Sequence, residues 1–391
     1  MAGAIVCAGG VTADSMECIG CRLSVRMTAV EYLLPDAPTC DLAYHALDIR
    51  MGNRYARGID MATETKRMFD LHCDTLDRLC GAAEGKPFNE ADGEIDPALL
   101  SDLESNVADI SLERMEGARW CQCFGVFMPD ELRGPAATGF FDRIYGFFLR
   151  QMERHDRHIV QVRDAAGIDR AFAEDKHAAL LTVEGGSVLA GGLGRIELLV
   201  ERGVRIMSMT WNGPNELASG NATMRGLTRT GRMAIPALEE AGIIIDVSHL
   251  NDTGFWELAH LVQRPIVATH SNSRAVCDHP RNLTDDQFAF IVECGGLVGI
   301  NFCKEFLVHG ISDPKPDHLL QHVDHLLNRD GEDVLALGSD YDGADLPSWL
   351  APCDKMLDLH DLLAHEFGDE IARKICFGNA YAFLERACGE A

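Results

Sequence analysis

Eight short apolar runs recur between residues 68 and 343, separated by amphipathic or loop-like segments, and this alternation restricts the fold more than any other feature of the chain. The runs are MFDLHCDT (68–75), CQCFGVFM (121–128), AALLTVEGG (178–186), VRIMSMTW (204–211), GIIIDVSH (242–249), PIVATHS (265–271), LVGINF (297–302) and VLALGSDYDG (334–343). Between them lie helical patterns such as TGFFDRIYGFFLRQMERH, GRMAIPALEEAG, LTDDQFAFIVECG and PDHLLQHVDHLLNRDG. Strands alternating with helices pair in parallel, and eight repeats predict a closed α/β fold, the (β/α)8 TIM barrel. The segment from residue 354 onward reads as helices packed outside the barrel. A doubly wound open sheet is the alternative, but it advertises a glycine-rich phosphate loop after its first strand, where this chain has LHCDTLDR.

Residues 1–66 differ from this rhythm. They carry Cys7, Cys18, Cys21 and Cys40 with weak periodicity, and no second CxxC follows Cys18-x-x-Cys21 at finger-like spacing. We expect an N-terminal extension over 1–66, poorly ordered, with translation from Met68 or its vicinity as one origin for it, and a barrel domain with C-terminal helices over 67–391.

The sequence holds 61 acidic and 35 basic residues, a formal charge of −26, which repels phosphate backbones and anionic lipid. No nucleic acid and no membrane is therefore expected as partner. Several of the fourteen cysteines, Cys121, Cys123 and Cys303 among them, sit inside apolar runs. This reads as reduced, buried thiols in a cytoplasmic protein, in keeping with the absence of a basic, apolar leader or a run of about 18 apolar residues.

In a barrel of this kind active-site residues stand at the C-terminal ends of the strands. In order, the run ends offer His72 and Asp74, then Glu184, then Thr210-Trp211-Asn212, then His249, His270 and Asp340. His72 and Asp74 are two apart, so a strand would point them to one face, with Leu71 and Cys73 on the other. Singly, His249 reads as a hydrogen-bonded histidine and Asp340 as a turn former. Jointly, such residues at one end of one barrel read as metal ligands. Three imidazoles with carboxylates suit zinc better than magnesium or calcium, and five protein ligands exceed one open catalytic zinc. Two bridged metals fit better, with Glu184 between the His72/Asp74 and His249/His270 pairs; such a pair would hold a water as hydroxide near neutral pH and polarise a carbonyl.

The stretches DLHCDTL, VEGG, IDVSHL, VATHSNSRAVCDHPRNLTDD, LVGINF and GSDYDG occur in an order and at spacings that resemble the membrane (renal) dipeptidase family of zinc peptidases, including its bacterial soluble members, from about residue 68 to 385. The resemblance implies a metallo-dependent hydrolase barrel, two Zn2+ ions and hydrolysis of small dipeptides, including those with a C-terminal D-residue. It assigns His72 and Asp74 to one zinc, His249 and His270 to the other, and Glu184 to both. It makes Asp340 the acid/base and Arg281, in HPRNLTDD, the partner of the substrate carboxylate, against the plain reading of Arg281 as a cap or surface ion pair. It also allows a homodimer. Two positions depart from the family. Trp211 stands where much of the family has a histidine that contacts the substrate carbonyl, which leaves Asn212 or Asn215 as the oxyanion donor and allows an altered substrate preference; Cys73 stands where an asparagine is common. Two rivals remain open: an amidohydrolase acting on another small amide, which more often shows His-x-His and a bridging lysine, and a non-catalytic barrel relative, which would have lost a ligand.

Overall fold

The structure, a computed structural model, describes residues 65–388. The expected extension, with its CxxC, lies outside the described residues except at its last two positions, and Lys66 already opens the first strand. Nine strands follow: β1 (Lys66–Asp70), β2 (Ala118–Phe127), β3 (Ile159–Val162), β4 (His177–Glu184), β5 (Ile206–Ser208), β6 (Ile244–Asp246), β7 (Val267–Ala268), β8 (Leu297–Ile300) and β9 (Leu335–Leu337). Every ladder is parallel. The sheet order runs β2-β1-β9-β8-β7-β6-β5-β4-β3, and a direct β2–β4 pairing closes the eight strands other than β3 into a barrel. The predicted (β/α)8 architecture is therefore the observed one. β3, absent from the sequence reading, pairs with the first half of β4, from Ile159 opposite His177 to Val162 opposite Leu180.

The crossovers are helices whose starts are written into the chain. Thr228 and Asn251 accept the Gly231 and Gly254 amides as N-caps, and Thr284 with Gln287 forms a reciprocal capping box ahead of Asp285–Glu293. Each such cap contributes roughly 1 kcal/mol by satisfying an amide that the helix itself leaves unpaired.

Two apolar clusters divide the interior. The inner one takes a residue or two from every ring strand: Phe69 and Leu71, Cys121 and Cys123, Ala178 and Leu180, Ile206, Ile244, Val267, Leu297 and Ala336. The outer one, including Trp120, Phe124, Leu181, Ile245 and Leu335, joins the strands to their helices. The C-terminal segment behaves in two ways. Met356, Leu359 and Leu363 pack into the outer cluster, whereas Phe377, Ala380, Phe383 and Leu384 join the inner one. Leu71 is inner and Cys73 outer, so the strict alternation expected across residues 71–74 fails where β1 pairing ends at Asp70.

All ten described cysteines are free, and eight of them are buried, Cys294 and Cys388 being half-buried. Among the described residues no helix is long and apolar enough to cross a membrane.

Candidate metal centre

The sequence-predicted residues come together at the C-terminal mouth of the barrel. His72 and Asp74 follow β1, Glu184 ends β4, Trp211 and Asn212 follow β5, His249 follows β6, His270 and Arg281 follow β7, and Asp340 follows β9. His249 and Asp340 both hold left-handed backbone, at φ 68° and 66°. Non-glycine residues adopt that conformation at a cost and only where their surroundings impose it.

Six side chains converge. His72 Nε2 lies 3.5 Å from Glu184 Oε2, 3.7 Å from Asp74 Oδ1 and 3.8 Å from Asp340 Oδ1. His249 Nε2 lies 2.6 Å from Glu184 Oε1, and His270 Nε2 lies 3.7 Å from the same oxygen. Glu184 thus stands between the two groups, one oxygen toward each. The His72 and His270 rings also stack, 4.0 Å between centroids. All six residues are buried, yet His72 Nε2 and Asp74 Oδ1 have no hydrogen-bond partner. Leaving such atoms buried and unpaired costs several kcal/mol unless a ligand satisfies them.

The far nitrogens of two imidazoles are held by residues that fix their tautomers. Thr269 Oγ1 donates to Asp246 Oδ2 at 2.7 Å, so the contact of 2.8 Å between Thr269 Oγ1 and His270 Nδ1 makes that nitrogen the donor. Asn212 Oδ1 meets His249 Nδ1 at 3.0 Å, which makes it a donor too. Both Nε2 atoms are then bare acceptors, and they face one another at 2.9 Å. Two lone pairs so placed repel unless a cation lies between them and Glu184. Charge balance tells the same story. Burial opposes a charge on His72, but Glu184 and Asp74 outweigh it and hold the imidazole well above its usual range. Burial and then Glu184 lift the Asp74 carboxyl to about 7, while burial and then His72 push His270 well below the imidazole range.

Asp340 accepts from Asn301 Nδ2 at 2.9 Å through Oδ2, which leaves Oδ1 toward His72. Arg281 is buried, donates through Nη2 to the His270 carbonyl at 3.2 Å, and keeps Nε without a partner. Asn215, one of the two oxyanion candidates, spends its amide inside its own loop, on Met209 O and the Leu217 and Ala218 amides. Cys73 points away from the centre, to the Cys123 carbonyl. Asp246, Thr269 and Asn301 escaped the sequence reading. Asn301 ends the LVGINF run and was within reach of the strand-end rule, but a neutral amide carries no ligand signal.

His72, Glu184 and His270 offer ligand atoms within 4.8 Å of one another, and so do His72, Asp74 and Asp340. Imidazoles mixed with carboxylates, with bare atoms turned inward, fit divalent metal ions. On a (β/α)8 barrel this defines a metal-dependent hydrolase.

Comparison with known proteins agrees. Residues 59–387 match the family described as membrane dipeptidase, peptidase family M19. An uncharacterized protein encoded in the pqqA 5' region of Klebsiella pneumoniae is 41% identical over 219 residues, covering 52% of this chain and 79% of that protein. An uncharacterized protein in the PQQ-III 3' region of Acinetobacter calcoaceticus is 36% identical over 190 residues, 46% of this chain and 60% of that one. Among solved structures, a metallo peptidase from Rhodobacter sphaeroides, liganded with a phosphinate mimic of the dipeptide L-Ala-D-Ala, superposes with a TM-score of 0.76 at 28% identity. Dipeptidase AC, a metallo peptidase of family M19, superposes at 0.74 with 30% identity; each covers 83% of this chain and 100% of its own. The chain belongs to the membrane dipeptidase family, peptidase family M19, and is a metallopeptidase acting on peptide bonds.

Proposed function

We propose that the protein is a zinc dipeptidase with two Zn2+ ions, one at His72 and Asp74, the other at His249 and His270, and Glu184 shared between them. The observation that carries this reading is the pair of buried, unpartnered atoms, His72 Nε2 and Asp74 Oδ1, 3.7 Å apart, the first of them 3.5 Å from the same Glu184 that His249 meets at 2.6 Å. When bound, the ions would polarise the peptide carbonyl and lower the pKa of water enough for attack near neutral pH. The chain's own groups do the rest. Asp340, its Oδ2 occupied by Asn301, takes the proton of the attacking water at Oδ1 and returns it to the amine nitrogen as the C–N bond breaks. Arg281, already held against the His270 carbonyl, grips the substrate's terminal carboxylate and so favours short peptides with a free C-terminus. That carboxylate contact does not depend on the configuration of the last residue, which supports tolerance of a D-residue there. Free, buried thiols support a cytoplasmic location.

Trp211 favours one second reading. An indole donates a single hydrogen bond and carries no charge, so a different small amide is the substrate if dipeptides fail. The deciding experiment is release of free amino acids from L-Ala-D-Ala and L-Ala-L-Ala by purified protein with added zinc and with a chelator. Chelator-sensitive turnover is the expected result. No turnover by zinc-loaded protein would move the assignment to another amide.

A further inference from the structure

Phe127 ends β2 and Trp211 follows β5, and these two strands flank β4, whose last residue is Glu184. Their rings meet edge to face above that strand, with centroids 4.8 Å apart at 84°. Phe88, in the connection after β1, abuts Phe127 in the same manner at 5.9 Å. All three rings are half-buried, and Trp211 lies 6.5 Å from the His249 ring. The orientation of Phe127 follows from strand periodicity. Cys121 and Cys123 belong to the inner cluster, so Gly125 and Phe127 continue the same face toward the mouth. At Gly125 a side chain would begin 3.2 Å from His72 Cε1, which sets Phe127 one step above the level of the metal centre.

The aromatic wall is braced. Asp130 Oδ2 accepts the Gly213 amide at 2.6 Å, and Arg133 donates to the Pro214 carbonyl, tying the β5 loop to the β2 loop just after Trp211. The loop also turns back so tightly that a Cβ at Gly220 would meet the Trp211 carbonyl. Rings held this way present a preformed apolar face, which costs little ordering when a ligand arrives.

Arg281 follows β7, which stands across the ring from β2 and two strands from β5. A dipeptide with its carboxylate on Arg281 and its scissile carbonyl over Glu184 sends its other end toward β2, where Trp211 meets Phe127. We propose that Phe88, Phe127 and Trp211 form the subsite for the amino-terminal side chain, and that it selects large apolar residues, aromatic ones above all. Trp211 with Phe127 offers ring edges and faces that pack an aromatic side chain. The inference rests on the dipeptidase reading.

The test is kcat/KM for L-Phe-L-Ala, L-Ala-L-Phe and L-Ala-L-Ala with zinc-loaded protein, in the parent and in Phe88→Ala and Phe127→Leu. We expect L-Phe-L-Ala to exceed L-Ala-L-Ala by about tenfold or more, the size of effect that filling an apolar pocket produces. L-Ala-L-Phe should show no such gain, and each variant should bring the L-Phe-L-Ala to L-Ala-L-Ala ratio close to one. Equal rates in the parent, a gain that follows phenylalanine at the carboxyl end, or a ratio that survives both substitutions would overturn the subsite. Failure to cleave any of the three would instead remove the dipeptidase reading beneath it.

Discussion

His249 and His270 face each other through bare nitrogens because residues behind them dictate where their protons sit. Asp246 is central to this, since its Oδ1 takes the Ser248 and Thr269 amides and its Oδ2 takes the Thr269 hydroxyl. Asp246→Asn preserves the amide contacts but turns an NH2 group on Thr269, whose hydroxyl must then donate to His270 Nδ1. The proton moves to Nε2, the atom needed for a metal. We expect zinc affinity about 10- to 100-fold weaker with the barrel intact, read by metal titration against circular dichroism. Asp340→Asn probes the chemistry instead of the binding. It keeps a partner for Asn301 but cannot carry a proton, so zinc content should hold while kcat falls by roughly 10²- to 10⁴-fold; an unchanged kcat would remove Asp340 from the reaction.

At the level of elements, the connection after β9 is tightly constrained. Asp340 and Asp342 both hold positive φ, and Asp342 is anchored by Thr75 Oγ1 at 2.5 Å, Arg78 Nη1 at 2.7 Å and the Asp109 amide at 2.8 Å. Gly343 then passes so close to the β1 connection that a side chain there would start on Asp74 Oδ2. Gly343→Ala should displace Asp74 and lower zinc content, measured by metal analysis of the folded protein; full occupancy would show that the connection yields. The eight ring strands were legible because each is apolar enough to be buried on both faces. β3 was not, because HIVQV leaves Val160 36% exposed and lies outside the ring, so it carries no such signature. Strand-end ligands were legible as residue types out of place in apolar runs. Phe127 was hidden for the opposite reason: an aromatic at the end of CQCFGVFM looks like core until the ring is closed around it.

For the whole molecule, His322 gives a handle on pH. It lies fully buried on Pro316–Leu327, accepting the Ser273 amide at Nδ1 and donating from Nε2 to the Leu307 carbonyl, which joins three segments. Burial brings its pKa down to about 4. The unfolded chain, with an ordinary histidine near 6.5, binds more protons between those two values, so stability falls as pH drops through that window, by at most ~1.4 kcal/mol per pH unit. Thermal melts from pH 4 to 7 should show a shallower decline in His322→Gln than in the parent. An identical slope would mean that the imidazole protonates in the folded state without penalty. The eight buried thiols have a consequence of their own. Distributed over β2, the connections after β1, β7, β8 and β9, and the C-terminal segment, they are silent to a thiol reagent until the region around each opens. The rate at which each is modified in native buffer therefore clocks local breathing around the ring. Wild-type protein is its own reporter, with Cys294 and Cys388 as the fast internal references.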